Sequence, residues 1–205
     1  MTADGLVGLF ADERRDADSI VAGIEAFLSD HEDVDELVDA AIGSPREVVH
    51  AAVAYILSKR SRPRDFGPTC RLTAKLPMAK QLGYTLLTAL SGQILNGARP
   101  TEPEASLLKQ ILQTAIADRE VGIVSGTAVE LLAVIAAHCP DVISSLERQD
   151  WWRRIQKIPL KVQADWSPEI DEIRKAWPIS NVQWLHSRYP PESGRYDRKV
   201  RSTRI

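Results

Sequence analysis

The chain has 205 residues, of which 44% are hydrophobic and 26% are charged, and its formal net charge at pH 7 is −2. These values are those of an ordinary globular domain, and a chain of this length can bury one continuous core without a metal or a disulfide. No stretch approaches the roughly 18 consecutive apolar residues of a transmembrane helix, and the first residues lack the basic head and apolar run of a signal peptide. The sequence therefore predicts a cytoplasmic protein that does not enter a membrane.

Nearly every apolar segment repeats with the helical period of 3.6 residues, and the period-two alternation of half-buried strands is scarce. Two segments, at residues 48–57 and 128–137, are apolar around most of the helix circumference, so we expect these helices to pack on more than one side. Capping residues followed by proline mark several helix starts, for example Ser44-Pro45. We predict helices near residues 16–29, 32–42, 45–59, 77–96, 102–117, 121–138, 141–157, 168–176 and 179–187.

Short connections join the predicted helices, as at Pro140, so consecutive helices should be antiparallel neighbours. Small residues in the middle of three helices, Ala52, Ala89 and Ala128, recur at a spacing close to the roughly 40 residues of a two-helix repeat. The predicted fold class is all-α, with antiparallel helical hairpins that stack into a short solenoid. A closed helical bundle is the alternative.

Residues 33–57 carry the pattern of one helix that ends and a second that begins at a proline, and residues 45–52 read Pro-Arg-Glu-Val-Val-His-Ala-Ala. This run resembles a HEAT-type repeat, in which the second helix has the form P-x-E-V-x-x-A-A, although Val49 stands where the family usually has arginine. Residues 107–138 resemble a looser second copy. The resemblance implies a single HEAT- or armadillo-like repeat domain over residues 1–187, and such proteins generally bind other macromolecules along a concave surface.

Residues 59–80 contain seven Lys or Arg and one acid, Asp65. Three prolines and Gly67 interrupt a continuous helix, so we predict a long basic loop over residues 60–76. The loop could bind phosphates of nucleic acid, or it could neutralise the acidic N-terminal helices of the chain itself. The sequence pI of 6.1 favours the second interpretation. The candidate polyanion-binding residues are Arg60, Arg62, Arg64, Arg71 and Lys75, with Arg195, Arg198 and Arg201 near the C-terminus.

The sign of the charge reverses along the chain. Residues 1–60 carry 13 acidic and 5 basic side chains, a net charge of −8, whereas residues 151–205 carry 6 acidic and 12 basic side chains, a net charge of +6. Residues 188–205 are rich in Arg, Pro, Gly and Ser and nearly empty of aliphatics, which predicts a flexible basic tail. The asymmetry indicates either two surfaces for different partners or an internal match between the two ends.

All five tryptophans lie between residues 151 and 184, interleaved with Lys and Arg. Because Trp and Arg are enriched at binding hot spots, these C-terminal helices are a candidate surface for a protein partner. The alternative is a cap that covers the open end of the solenoid core. The candidate residues are Trp151, Trp152, Arg153, Arg154, Trp166, Trp177 and Trp184.

Sharp enzyme motifs are absent: the sequence has no G-x-x-x-x-G-K-[ST], no H-E-x-x-H and no G-x-S-x-G. We expect no catalytic residue, no metal, no cofactor and no small-molecule substrate. Cys70 and Cys139 lie outside any C-x-x-C pair and are predicted to be free thiols. The acidic run at residues 31–36 would be the centre of a metal-dependent enzyme, the least supported hypothesis, since acids at a helix start favour the helix dipole without an ion.

The sequence thus predicts a non-catalytic helical-repeat adaptor that binds a protein partner. Complex assembly or toxin neutralisation, as an immunity-type protein of a bacterium, would suit its size and its acidic N-terminal surface. The alternative is a nucleic-acid-associated helical protein that binds phosphate through residues 59–80 and the Arg-rich tail.

Overall fold

The computed structural model of the protein describes residues 2–117, 122–158 and 160–177. In these ranges the chain is all-helical and has no strand, which confirms the predicted fold class. Its eleven α-helices, together with a 3₁₀ turn at Pro63–Asp65, are α1 (Ala3–Ala11), α2 (Ala17–Asp30), α3 (Asp35–Gly43), α4 (Glu47–Arg60), α5 (Phe66–Lys75), α6 (Lys80–Leu95), α7 (Glu102–Ala117), α8 (Gly122–His138), α9 (Ser145–Ile155), α10 (Leu160–Asp165) and α11 (Ser167–Ala176).

The helices lie in two rows. The first row is α1, α3, α5, α7 and α9, and the second row is α2, α4, α6, α8 and α11, with each helix packed against the next one in its row. Helices consecutive in sequence pair across the rows, α1 with α2, α3 with α4, α5 with α6 and α7 with α8. This packing is consistent with stacked helical hairpins, and it leaves each helix of the second row with one face turned away from the first row.

Two hydrophobic clusters form the core, and they meet at α5 and α6. The N-terminal cluster is built from α1 to α4 and includes the fully buried Phe27 and Val53, and the C-terminal cluster includes Leu132 and Trp177. Helix α6 contributes residues to both clusters, as does α5. The two segments predicted to pack on several sides are indeed the central helices α4 and α8, which are buried around most of their circumference.

The predicted loop over residues 60–76 is wrong, because residues 66–75 form helix α5. Pro68 does not break this helix, since it lies in the first turn, where a backbone N–H has no intrahelical acceptor to lose. The hydroxyl of Thr69 donates to the carbonyl of Asp65 at 2.7 Å and helps to close that turn. Two short helices, α1 and α10, were also not predicted from the apolar pattern.

The start of α9 is set by a capping box. The Ser144 hydroxyl accepts from the Glu147 amide, and the Glu147 carboxylate accepts from the Ser144 amide at 2.9 Å, so α9 begins at Ser145 rather than near residue 141. The predicted helix at 179–187 and the predicted tail at 188–205 lie outside the described residues, as do Trp184, Arg195, Arg198 and Arg201. None of the described helices is both long enough and apolar enough to cross a bilayer.

Candidate functional site

The most buried arginine of the basic segment is used inside the chain. Arg60 Nε donates to the Asp65 carboxylate at 2.9 Å, and a terminal nitrogen of Arg60 donates to the Glu32 carbonyl at 3.0 Å. The Arg60 side chain is 13% exposed and that of Asp65 is 1% exposed. This ion pair is therefore shielded from water and links the end of α4 to the start of α5 and to the α2–α3 connection.

Two further arginines bind acids that precede or lie in α3. Arg64 donates to the Glu32 carboxylate at 2.7 Å, and Arg71 donates to Asp35 at 2.5 Å and to Asp39 at 3.3 Å. The hydrogen bond from Arg64 lowers the pKa of Glu32 below its ordinary value. Sequence reasoning allowed either phosphate binding or internal neutralisation, and the geometry of these three arginines is that of internal neutralisation.

The remaining two candidates of the basic segment, Arg62 and Lys75, are exposed. They lie on opposite sides of α5, Arg62 before the 3₁₀ turn and Lys75 in the last turn of the helix, where a cation favours the helix dipole. The compact cluster of five cations implied by the sequence is therefore not present as an exposed patch.

The tryptophans of the C-terminal helices lie mainly in the core. Trp151, Trp152 and Trp177 are buried in the C-terminal cluster, and Trp166 is partly buried against it. These rings fill the end of the second row and so occupy the position of a cap. They do not form an exposed aromatic surface, because their contact area is used against α8 and its neighbours.

Arginines lie over two of these rings. The Arg154 guanidinium is 5.7 Å from the ring centre of Trp151, and that of Arg174 is 5.3 Å from the ring centre of Trp152, within the range of cation–π contacts. Arg153 is exposed and donates to Asp150 at 2.9 Å. At this end of the molecule the solvent therefore meets arginines and their acid partners rather than indoles.

A surface that the sequence analysis missed lies on the outer face of the second row. Three large apolar side chains are exposed on three adjacent helices: Tyr55 of α4 is 47% exposed, Tyr84 of α6 is 39% exposed, and Ile123 of α8 is 37% exposed. We call this set the belt. The available signal was a large apolar side chain on the one polar stripe of each helix, which is hard to recognise in helices that are apolar nearly all round.

Contacts between the helices fix the level of the belt residues. Val124 Cγ2 lies 3.2 Å from the position that a Cβ would occupy at Gly83, so their chain neighbours Ile123 and Tyr84 lie at nearly the same level on α8 and α6. Asn96, just after α6, donates to the carbonyl of Ser61, just after α4, at 2.8 Å.

Counting back from that contact at 1.5 Å per residue places Tyr55 within about two helical turns of Tyr84. The closer approach of Ser61 Oγ to Gly92, 2.8 Å from a Cβ built there, reduces this offset to about one turn. The three side chains therefore form a band across the row, with helix-to-helix spacings of about 8–10 Å.

The surroundings of the belt are poor in charge. Residues 81–95 of α6, the central helix of the belt, contain no Asp, Glu, Lys or Arg. Charged groups lie at its edges: Lys59 Nζ is 5.5 Å from the ring centre of Tyr55, and Glu130 lies further along α8. An apolar centre that lacks charge and has a polar rim is the usual composition of a protein–protein contact.

Features that could support chemistry are few in the described residues. No group of three or more His, Cys, Asp or Glu in these ranges could hold a metal ion. Cys70 and Cys139 are free and buried, as predicted, and burial raises the pKa of both thiols, so neither has the character of a reactive thiolate. A cavity beside Thr73 and Met78 has a volume of about 140 Å³, below the roughly 300–1,000 Å³ of typical small-molecule sites.

Comparison of the chain with protein-family models, with curated proteins and with solved structures finds no match. The class of protein that fold and surface define is therefore an all-helical protein of stacked hairpins with an exposed apolar belt on one row.

Proposed function

We propose that the protein is a non-catalytic scaffold, a short HEAT-like solenoid of helical hairpins, that binds a protein partner across the belt. The observation that carries the proposal is the exposure of Tyr55, Tyr84 and Ile123 at similar levels on three adjacent helices. The resemblance of residues 33–57 to a HEAT repeat supports a macromolecular ligand rather than a small molecule.

Energetics favour a partner on this surface. Tyrosine supplies a large contact area at a small cost in conformational entropy and is enriched at binding hot spots. Because α6 has no charge between residues 81 and 95, a partner that covers it desolvates no ionised side chain of that stretch. The role is that of an adaptor, and a complex-assembly or immunity-type protein is the same module with a different partner.

The alternative function, phosphate binding through residues 59–80, has less support. Arg60, Arg64 and Arg71 already bind acids of the same chain, so a polyanion would have to compete with these ion pairs. The belt needs no such competition.

A photo-crosslinking experiment tests the proposal. A photoreactive phenylalanine analogue replaces Tyr84, and the full chain is irradiated in a bacterial lysate. In the control chain the same analogue replaces Gln113, which is exposed on α7 in the other row. We expect one discrete adduct from position 84 and none of the same mass from position 113.

The specificity of that adduct is then tested with Tyr55→Asp, which places a charge in the belt, and with Gln113→Asp, which places a charge on the other row. We expect Tyr55→Asp to reduce the adduct at least about tenfold, the effect of a hot-spot residue worth about 1.4 kcal/mol or more, whereas Gln113→Asp leaves it unchanged. Equal labelling from positions 84 and 113, or an adduct that survives Tyr55→Asp, would contradict the proposal.

A further inference from the structure

The outer flank of α2 is an unpartnered helix face. Helix α2 is the first helix of the second row and packs against α1 and α4, so among the described residues no further helix of that row lies beyond it. Asp18, Ala22, Glu25 and Ser29 are exposed and follow each other at helical spacings of three or four residues. They form one stripe, which we call the α2 stripe, in which acids alternate with small residues.

Neither α1 nor α2 carries a base that could balance these acids. The two helices contain Asp4, Asp18, Glu25 and Asp30 and no Lys or Arg. The nearest arginine of another hairpin, Arg46, directs its guanidinium to backbone carbonyls, including that of Asp12 at 2.7 Å. The acids of residues 32–39, in contrast, have Arg64 and Arg71 as partners, so the N-terminal hairpin is the part of the acidic region that has no basic counterpart in its own sequence neighbourhood.

The largest excess of base elsewhere in the chain is at its C-terminus. Residues 188–205 contain six Lys or Arg and two acids. Described structure ends at Trp177, which is buried beside α11 at the far end of the second row. From α11 to α2 the row has four helix-to-helix steps, a distance of about 32–40 Å.

The chain after Trp177 is long enough to cover this distance. An extended chain spans at most about 3.3–3.6 Å per residue, so residues 178–187 reach about 33–36 Å and every basic residue from Arg195 onward can reach the α2 stripe. A segment tethered to the same molecule is present at a local concentration in the millimolar range, which favours contact within one chain over contact between chains.

We propose that residues 188–205 dock along the α2 stripe of the same molecule, with their Lys and Arg side chains on Asp18 and Glu25. The small side chain of Ala22 lets the segment lie close to the helix between the two acids. The flank of α2 is therefore a surface for a Lys- and Arg-rich segment, and the C-terminal segment occupies it in the absence of another basic ligand.

Crosslinking within the full chain tests this proposal independently of the belt. A photoreactive phenylalanine analogue replaces Tyr196, which lies inside the docking segment, and the adducts are mapped by mass spectrometry in the band of monomer mass. We expect adducts on the peptides of α2, and we expect their yield to fall at least about fivefold between 20 mM and 500 mM salt, because screening weakens exposed charge pairs.

Matched charge removal separates a specific site from general attraction. The double variant Asp18→Asn, Glu25→Gln should reduce the α2 adducts by a similar factor. The double variant Glu102→Gln, Glu172→Gln, which removes two exposed charges elsewhere, should leave them unchanged. Adducts on other helices only, adducts only at dimer mass, or equal effects of the two double variants would overturn the proposal.

Discussion

The indole of Trp166 lies directly against Gly126 of α8, so that a Cβ built on Gly126 would be 2.6 Å from three of the ring atoms. Trp166 is the residue between α10 and α11, and both of these helices pack on α8. A glycine in the middle of a helix is unfavourable by itself. Its presence here has a packing reason, since it lets the C-terminal helices approach the backbone of α8.

Gly126→Ala should therefore destabilise the protein although alanine is the better helix former. We expect a loss of about 1–3 kcal/mol from overpacking against the ring, larger than the roughly 1 kcal/mol gain in helix propensity. Gly8→Ala in α1 is the matched control, because a Cβ there meets nothing within 4 Å; it should stabilise by about 0.5–1 kcal/mol. Urea unfolding curves measure both, and a stabilising Gly126→Ala would contradict the packing reason.

Removal of Arg60 should cost far more than removal of Arg64. Arg60→Ala leaves the buried Asp65 carboxylate without its ion-pair partner, at a cost of about 3 kcal/mol. Arg64→Ala breaks an exposed pair with Glu32, worth less than about 1 kcal/mol. Chemical denaturation of the two variants tests this contrast, and similar losses would show that Asp65 finds another partner or water.

Release of the paired arginines should create affinity for polyanions. The triple variant Glu32→Gln, Asp35→Asn, Asp39→Asn removes the acids that bind Arg64 and Arg71. We expect it to bind labelled duplex DNA at 20 mM salt at least about tenfold more tightly than the parent chain, with a steeper loss of affinity as salt rises. Fluorescence anisotropy measures this. Equal and tight binding by the parent chain would instead support the nucleic-acid alternative.

The Lys109–Glu147 ion pair should make stability depend on acidity. Hydrogen bonds from Lys109, at 2.8 Å, and from Ser144 lower the pKa of Glu147 from 4.5 to about 2. The folded state therefore holds this carboxylate ionised more strongly than the unfolded chain does. The resulting stability is complete above the unfolded pKa and is lost as the pH falls from about 5 towards 2.

Thermal melts of the parent chain and of Glu147→Gln should thus differ most near neutral pH, and the difference should shrink towards pH 2. Lys109→Met should remove the larger part of the same pH dependence, because the lysine supplies the largest contribution to the lowered pKa. A difference in melting temperature that is constant from pH 7 to pH 2.5 would contradict the ion-pair explanation.

Glu130 should show the opposite sign. Burial, with a smaller contribution from the nearby Glu169, raises the pKa of Glu130 above its ordinary value of 4.5, and one carboxylate oxygen of Glu169 is buried without a hydrogen-bond partner. Ionised Glu130 therefore destabilises the folded state at neutral pH, and the penalty disappears as the pH falls through the raised pKa towards 4.5.

Glu130→Gln should accordingly raise the melting temperature at pH 7 and have little effect near pH 4. The exposed Glu172→Gln on α11 is the control and should change the melting temperature at neither pH. An unchanged or lower melting temperature for Glu130→Gln at pH 7 would show that burial of Glu130 carries no penalty.

Helix periodicity was sufficient for most of the fold. The stripes of α2, α3 and α7, and the all-round apolar character of α4 and α8, are local properties of the sequence, and these helices are where the pattern predicted them. Helix α5 was missed because Pro68 was taken as a breaker, whereas its effect depends on its place in the first turn. That place is set by the 3₁₀ turn before it, which in turn depends on the Arg60–Asp65 pair.

The surface chemistry followed the sequence less well. The tryptophans were predicted to be either a cap or an interface, and the fold places Trp151, Trp152 and Trp177 in the core. The belt was not predicted at all, because Tyr55, Tyr84 and Ile123 lie on three different helices and become neighbours only when those helices pack side by side.

The sequence alone determined the all-α class, the approximate helix positions and the excess of acid at one end and base at the other, since each depends on residue type and spacing within a short stretch. Only the tertiary structure decided which charges pair and which apolar side chains stay exposed. Arg71 meets Asp35 across 36 residues of chain, and contact at that range is fixed by helix packing, which no local pattern encodes.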